Sequence, residues 1–173
     1  MEEIVTIVTK EQEAFLRTKT VNFDFALWEK KDIQALVKRM RAKMKELNGV
    51  GLSANQIGHG FRMFVAQVPD SQGRQKFYAV FNPKLTVVGK EKETIEEGCL
   101  SVPGFWGPVS RDFKVVLDGY DMHGKKIKIK AWGLLARVFQ HETDHLDGVL
   151  FIDRAKKIYK VTDLDSKSET HHI

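Results

Sequence analysis

The sequence predicts an α+β domain in which mixed, mostly antiparallel strands surround a central helix, with a second helix packed outside. Three observations lead there. Residues 33–47 place Ile33, Leu36, Val37, Met40, Met44 and Leu47 at steps of three and four, the pattern of one buried helix face. Residues 113–117 and 125–132 read as β-prone runs joined by Asp121-Met122-His123-Gly124, which makes them a hairpin. Residues 134–146 return to helical spacing, and Gly148 sits just beyond as a stop.

In chain order, Gly49 is the expected stop of the first helix. Further β-prone runs follow near 61–68 and 77–85, separated by Pro69-Asp70-Ser71-Gln72-Gly73 as a turn, and are read as strands of one sheet; residues 85–88 and Ile95 extend the β character. In the hairpin, Lys126-Ile127-Lys128-Ile129-Lys130-Ala131 alternates polar with apolar, so one face is solvated and the lysines need no ligand. Residues 1–155 are expected to form a single domain, and 156–173 a polar, loosely ordered tail.

With 42% hydrophobic and 29% charged residues, the 173-residue chain has ordinary globular composition, which excludes a mostly disordered or collagen-like protein. No apolar run approaches the roughly 18–20 residues that cross a bilayer. The acidic start Met1-Glu2-Glu3-Ile4 does not resemble a secretory or transit signal, so the expectation is a cytoplasmic protein without membrane partners. The net charge of +5 reads as a solvated lysine-rich surface; no dense basic run with interleaved aromatics points to specific nucleic-acid binding. The lone cysteine, Cys99, has no intramolecular disulfide partner.

The chemistry concentrates in His141-Glu142-Thr143-Asp144-His145. On a helix, histidines four apart project from nearly one face and reach the same metal, and the glutamate beside the first can address water there. These residues continue the apolar stripe of Leu134, Leu135 and Val138 into the interior, where ionisable groups without partners are costly and a metal compensates. A catalytic site needs a third ligand and an open position. A third histidine six residues on would fit a metzincin, but that position is Phe151; Glu169 would fit a thermolysin-like arrangement, but it lies in the polar tail. Cys99, in Glu96-Glu97-Gly98-Cys99-Leu100-Ser101, remains as a thiolate candidate. Asp144 points elsewhere and reads as a structural ion pair, and His59, His123, His171 and His172 have no ligand spacing.

Three separated blocks, GVGLSANQ (49–56), EGCLS (97–101) and QHETDHLDG (140–148), stand in the order and approximate spacing of peptide deformylases, and the resemblance spans roughly residues 15–155. It implies a divalent transition metal held by Cys99, His141 and His145, ferrous iron by expectation, with zinc, nickel and cobalt fitting the same donors. It further implies Glu142 as general acid/base, with the Gln56 side-chain amide and the Leu100 backbone N–H stabilising the substrate oxygen. The implied reaction is hydrolysis of the N-formyl group of the initiator methionine of new polypeptides, releasing formate, with transient contact at the ribosome. A narrow site that admits a formyl carbon bearing only hydrogen would exclude acetyl groups and ordinary peptide bonds. Matching substrate positions are Val50 and Gly51 for backbone contact, Leu134 and Val138 in the methionine pocket, and Arg111, read as an exposed arginine beside the substrate path.

The sequence also departs from the family. Ser53 stands where a small apolar residue is usual, and is tolerated if its hydroxyl bonds locally. Phe15-Leu16-Arg17-Thr18-Lys19 resembles the family's leading element without the proline that often precedes it. The rival readings are an endopeptidase, a non-catalytic binding module and an enzyme for another N-formyl compound.

Overall fold

In the computed structural model, which describes residues 3–160, all pairings between named strands are antiparallel. The chain runs α1 (Lys10–Leu16), α2 (Lys30–Glu46), β1 (Gly51–Ser53), β2 (Met63–Pro69), β3 (Gln75–Val87), β4 (Lys92–Cys99), β5 (Val102–Asp112), β6 (Lys114–Tyr120), β7 (Lys126–Trp132), α3 (Gly133–Leu146), α4 (Phe151–Arg154) and β8 (Tyr159–Lys160). β1-β2-β3-β6-β7 form one sheet and β4-β5-β8 a second. The runs expected at 61–68 and 77–85 do share a sheet, whereas Ile95 belongs to the other.

Helix α2 buries Ile33, Leu36, Val37, Met40 and Met44, the face its spacing predicts, against Leu52, Met63, Val65 and Phe81. Burying side chains of this size is worth about 1.5–3 kcal/mol each. Its stop differs by one residue from expectation. Asn48 adopts φ 55°, and Gly49 N–H then bonds Met44 C=O, so asparagine takes the left-handed position.

The β6–β7 hairpin forms as predicted, with Lys126, Lys128 and Lys130 exposed. Helix α3 carries ten buried residues and packs on the five-stranded sheet through Ala136, Val138, Phe139 and Leu146. Gly148 ends its turn at φ 75°, close enough to the Arg17 carbonyl that a side chain would collide with backbone.

Within the segment expected as a tail, Tyr159 and Lys160 pair with Trp106 and Phe105 of β5, and the Tyr159 hydroxyl donates to Glu96 at 2.8 Å. Residues 161–173, including Glu169, His171 and His172, lie outside the described residues. Among the described residues, no helix is long and apolar enough to cross a membrane.

Candidate metal centre and active site

Three elements converge on one buried point. Strand β4 ends at Cys99, α3 projects His141 and His145 one turn apart, and the 3-10 turn of residues 54–57 after β1 supplies Gln56. Donor atoms of Cys99, His141 and His145 all lie within 4.8 Å of one another, and each residue is about 1% exposed. Cys99 Sγ stands 3.1 Å from His145 Nε2.

The electrostatics leave these groups ready for a cation. Burial pushes the Cys99 thiol up to about 12, with the charge of Glu142 adding to it. Burial likewise holds His145 well below its ordinary range, helped by the positive charge of Arg111, so its ring is neutral. His141 Nε2 and His145 Nδ1 are buried without a hydrogen-bond partner among the described residues. Cysteine and histidine are the donors borderline-soft divalent metals take, and a cation here would discharge the thiol proton and satisfy a buried ring nitrogen, so the residues fit a transition metal.

Glu142 follows His141 and is fully buried, with neither carboxylate oxygen hydrogen-bonded among the described residues. Burial outweighs the opposing positive charge of Arg111 and, helped by the negative charge of Glu97, raises its pKa well above the usual carboxylate range. A Cβ on Gly51 would come 2.8 Å from the Glu142 carboxyl carbon, so glycine is what lets that carboxyl lie against the edge strand β1.

Gln56 is held by its carbonyl: Oε1 accepts from Ser53 N–H at 2.9 Å and from the Ser53 hydroxyl at 3.0 Å. Its amide Nε2 therefore faces Ser101 Oγ at 3.2 Å and Cys99 Sγ at 3.6 Å. The Ser53 hydroxyl bonds locally, as its tolerance requires. Asn55 Nδ2 ties the same turn to His145 C=O at 2.6 Å. Leu100 occupies the turn directly after Cys99.

The remaining candidates scatter. Val50 C=O accepts from Gln67 N–H at 2.8 Å, and Gly51 opens β1, a sheet-edge strand paired, among the described residues, with β2 alone. Leu134 is 45% exposed, while Val138, one turn later, is wholly buried in the core. Arg111 is not exposed: it is 4% accessible, and its guanidinium bonds Glu97 at 2.9 Å twice and Asp144 once. It meets the centre through Glu97, and Asp144 is the structural ion pair its direction predicted, also bound by Arg154.

Glu97 and Arg137 were missed as site residues. Glu97 accepts from His141 Nδ1 at 3.0 Å, from Arg111 and from Arg137 Nη1 at 2.7 Å. Burial opposes its charge, but hydrogen bonds from Arg111 and His141 outweigh that and hold its pKa far below the usual range. An ionised carboxylate only accepts, so Nδ1 of His141 carries the proton and Nε2 keeps its lone pair. The signal was an arginine four residues before His141, on the same helix face, where a buried cation demands a carboxylate.

Fold and site together define a metal-binding hydrolase class with one thiolate, two imidazoles and a buried carboxyl. Comparison with known proteins narrows the class. The polypeptide deformylase family model matches residues 2–161. The peptide deformylase of Desulforudis audaxviator is 43% identical over 128 residues, 74% of this chain and 80% of that protein. Among solved structures, a probable peptide deformylase from Synechococcus phage S-SSM7 has TM-score 0.78 at 35% identity, covering 89% of this chain and 99% of that one. The Thermotoga maritima peptide deformylase has TM-score 0.79 at 32% identity, covering 91% and 99%. The chain belongs to the peptide deformylase family, metal-dependent hydrolases that remove the N-formyl group from newly made polypeptides.

Proposed function

We propose that Cys99, His141 and His145 hold a single divalent metal, ferrous iron in the native enzyme, and that Glu142 moves the proton in formyl hydrolysis. The observation that carries this reading is a buried Glu142, not hydrogen-bonded among the described residues, next to three metal donors within 4.8 Å. When bound, the metal supplies Lewis acidity that polarises the formyl carbonyl and lowers the pKa of water. Glu142 takes the proton from the attacking water and returns it to the departing amine nitrogen, so formate and a free amine result. Gln56 Nε2, fixed by Ser53, and the Leu100 N–H donate to the oxygen on which charge develops.

The peptide lies extended along the free edge of β1 at Val50 and Gly51, adding a strand beside the Glu142 carboxyl. Leu134 forms the mouth of the methionine pocket and Val138 its floor, consistent with their exposures of 45% and 0%. Zinc, nickel and cobalt suit the same donors. Residues 1–155 act as one catalytic domain, with 156–173 as an appended tail in which Tyr159 and Lys160 pair with β5. The enzyme works in the cytoplasm, meeting its substrate in transient contact with the ribosome.

The test is formate release from N-formyl-Met-Ala-Ser by protein loaded anaerobically with ferrous iron, with N-acetyl-Met-Ala-Ser as control. Release from the formyl peptide alone is expected. No release from protein holding one metal per chain would overturn the reading in favour of a non-catalytic relative or another formylated substrate.

A further inference from the structure

Thr143 leaves α3 on the side opposite His141, and there a cleft of about 430 Å³ opens between α3, β3 and β5. It gathers six cationic side chains, Lys19, Arg62, Lys84, Lys92, Arg111 and Arg154, against three carboxylates. No two of these cations are sequence neighbours, which is why the chain shows no basic run.

The carboxylates are already engaged. Asp147 lies 2.7 Å from Arg62 and 3.7 Å from Lys19, Asp112 lies 3.0 Å from Lys92, and Asp144 binds Arg111 and Arg154. Lys84, exposed on β3, has no ion-pair partner among the described residues. In the cleft wall, Thr143 is only 8% exposed, yet its Oγ1 has no hydrogen-bond partner among the described residues. A buried hydroxyl left unmade is costly, and excess positive charge around it favours an anionic acceptor.

We propose that this cleft binds a phosphate group, whose oxygens accept from the Thr143 hydroxyl, the Lys84 ammonium and the half-exposed Arg154 guanidinium. Tetrahedrally arranged oxygens suit donors that converge from separate elements, and the cleft leaves room for whatever the phosphate esterifies. The phosphate is either free or part of a nucleic-acid backbone, and the two are separable by experiment.

Zinc-loaded enzyme is titrated at low salt with inorganic phosphate and, separately, with a short oligouridylate, following backbone amide shifts by NMR. Saturable shifts at residues 84, 143 and 144 are expected. Lys84→Glu is expected to weaken binding about tenfold or more, and Thr143→Val about fivefold, with formyl-peptide turnover retained. Tighter binding of the oligonucleotide identifies a backbone diester as the source, and tighter binding of inorganic phosphate identifies the free ion; either supports the site. Absence of saturable shifts with both probes, or shifts indifferent to Lys84→Glu and Thr143→Val, overturns it.

Discussion

Glu97 and Glu142 are both wholly buried, the first bonded to His141 and the second next to it in sequence, yet their surroundings drive them in opposite directions. Glu97 takes four hydrogen bonds, two from Arg111 and one each from Arg137 and His141, and stays ionised far into acid. Neither Glu142 oxygen has a hydrogen bond of ordinary geometry among the described residues; burial raises its pKa, outweighing the charge of Arg111 and the Ser53 hydroxyl, which alone act to lower it. The first environment fixes a charge so that it can orient a ring; the second leaves a carboxyl free to exchange a proton. Burial alone therefore does not separate a structural carboxylate from a reactive one, whereas the number of donors aimed at it does.

The sharpest test of that contrast is Glu142→Gln. Turnover of formyl-Met-Ala-Ser is expected to fall about 10²–10⁴-fold, the usual worth of a general acid/base. Metal content should be unchanged, because the metal donors are elsewhere, and thermal stability should not fall, because no hydrogen bond is lost. Formate assay, metal analysis and a melting curve on one preparation check all three; near wild-type activity would remove Glu142 from its role.

Glu97→Gln should show the opposite profile. It leaves Arg111 and Arg137 buried against a neutral amide, a change of the kind that costs about 3–5 kcal/mol in urea unfolding. His141 loses its charged acceptor, so chelator competition should show metal held about 10–100-fold more weakly. Gly51→Ala should act on the other carboxyl alone: the new methyl presses on Glu142, and turnover is expected to drop about tenfold with metal retention unchanged. If Gly51→Ala released metal as readily as Glu97→Gln, the two carboxyls would not be functionally separate.

These two environments were not equally legible in the sequence. Glu142 stands in the helical motif, where the offset from His141 to His145 is a local period and needs only a helix to make sense. The hairpin of β6 and β7 was legible for the same reason. Glu97 is built from partners 14, 40 and 44 residues away, and no local pattern announces contacts between strands and a helix at such separations. Strand β5 contains Pro103, Gly104, Gly107 and Pro108, residues that argue against a strand, yet β4 and β8 hold it from both sides. The cationic cleft behind α3 follows the same rule, since its members meet only in the fold.

The smallest expected effect concerns Ser53, where the sequence departs from the family's usual apolar residue. Its hydroxyl reaches Asn55 Oδ1 at 2.9 Å and Gln56 Oε1 at 3.0 Å, so it tightens the turn that aims the Gln56 amide toward Cys99. Ser53→Ala removes that donor but leaves the Ser53 backbone N–H on Gln56 Oε1 at 2.9 Å. The loss is expected to be about 0.5–1.5 kcal/mol in unfolding, and turnover should change by no more than about threefold. Gln56→Ala, by contrast, removes the donor itself and should cost about 10²-fold in kcat, with the KM for the formyl peptide changing little. A Ser53→Ala variant as impaired as Gln56→Ala would mean that the hydroxyl, and not the backbone, orients the amide, and that a third buried polar group belongs with Glu142 on the reactive side of His141.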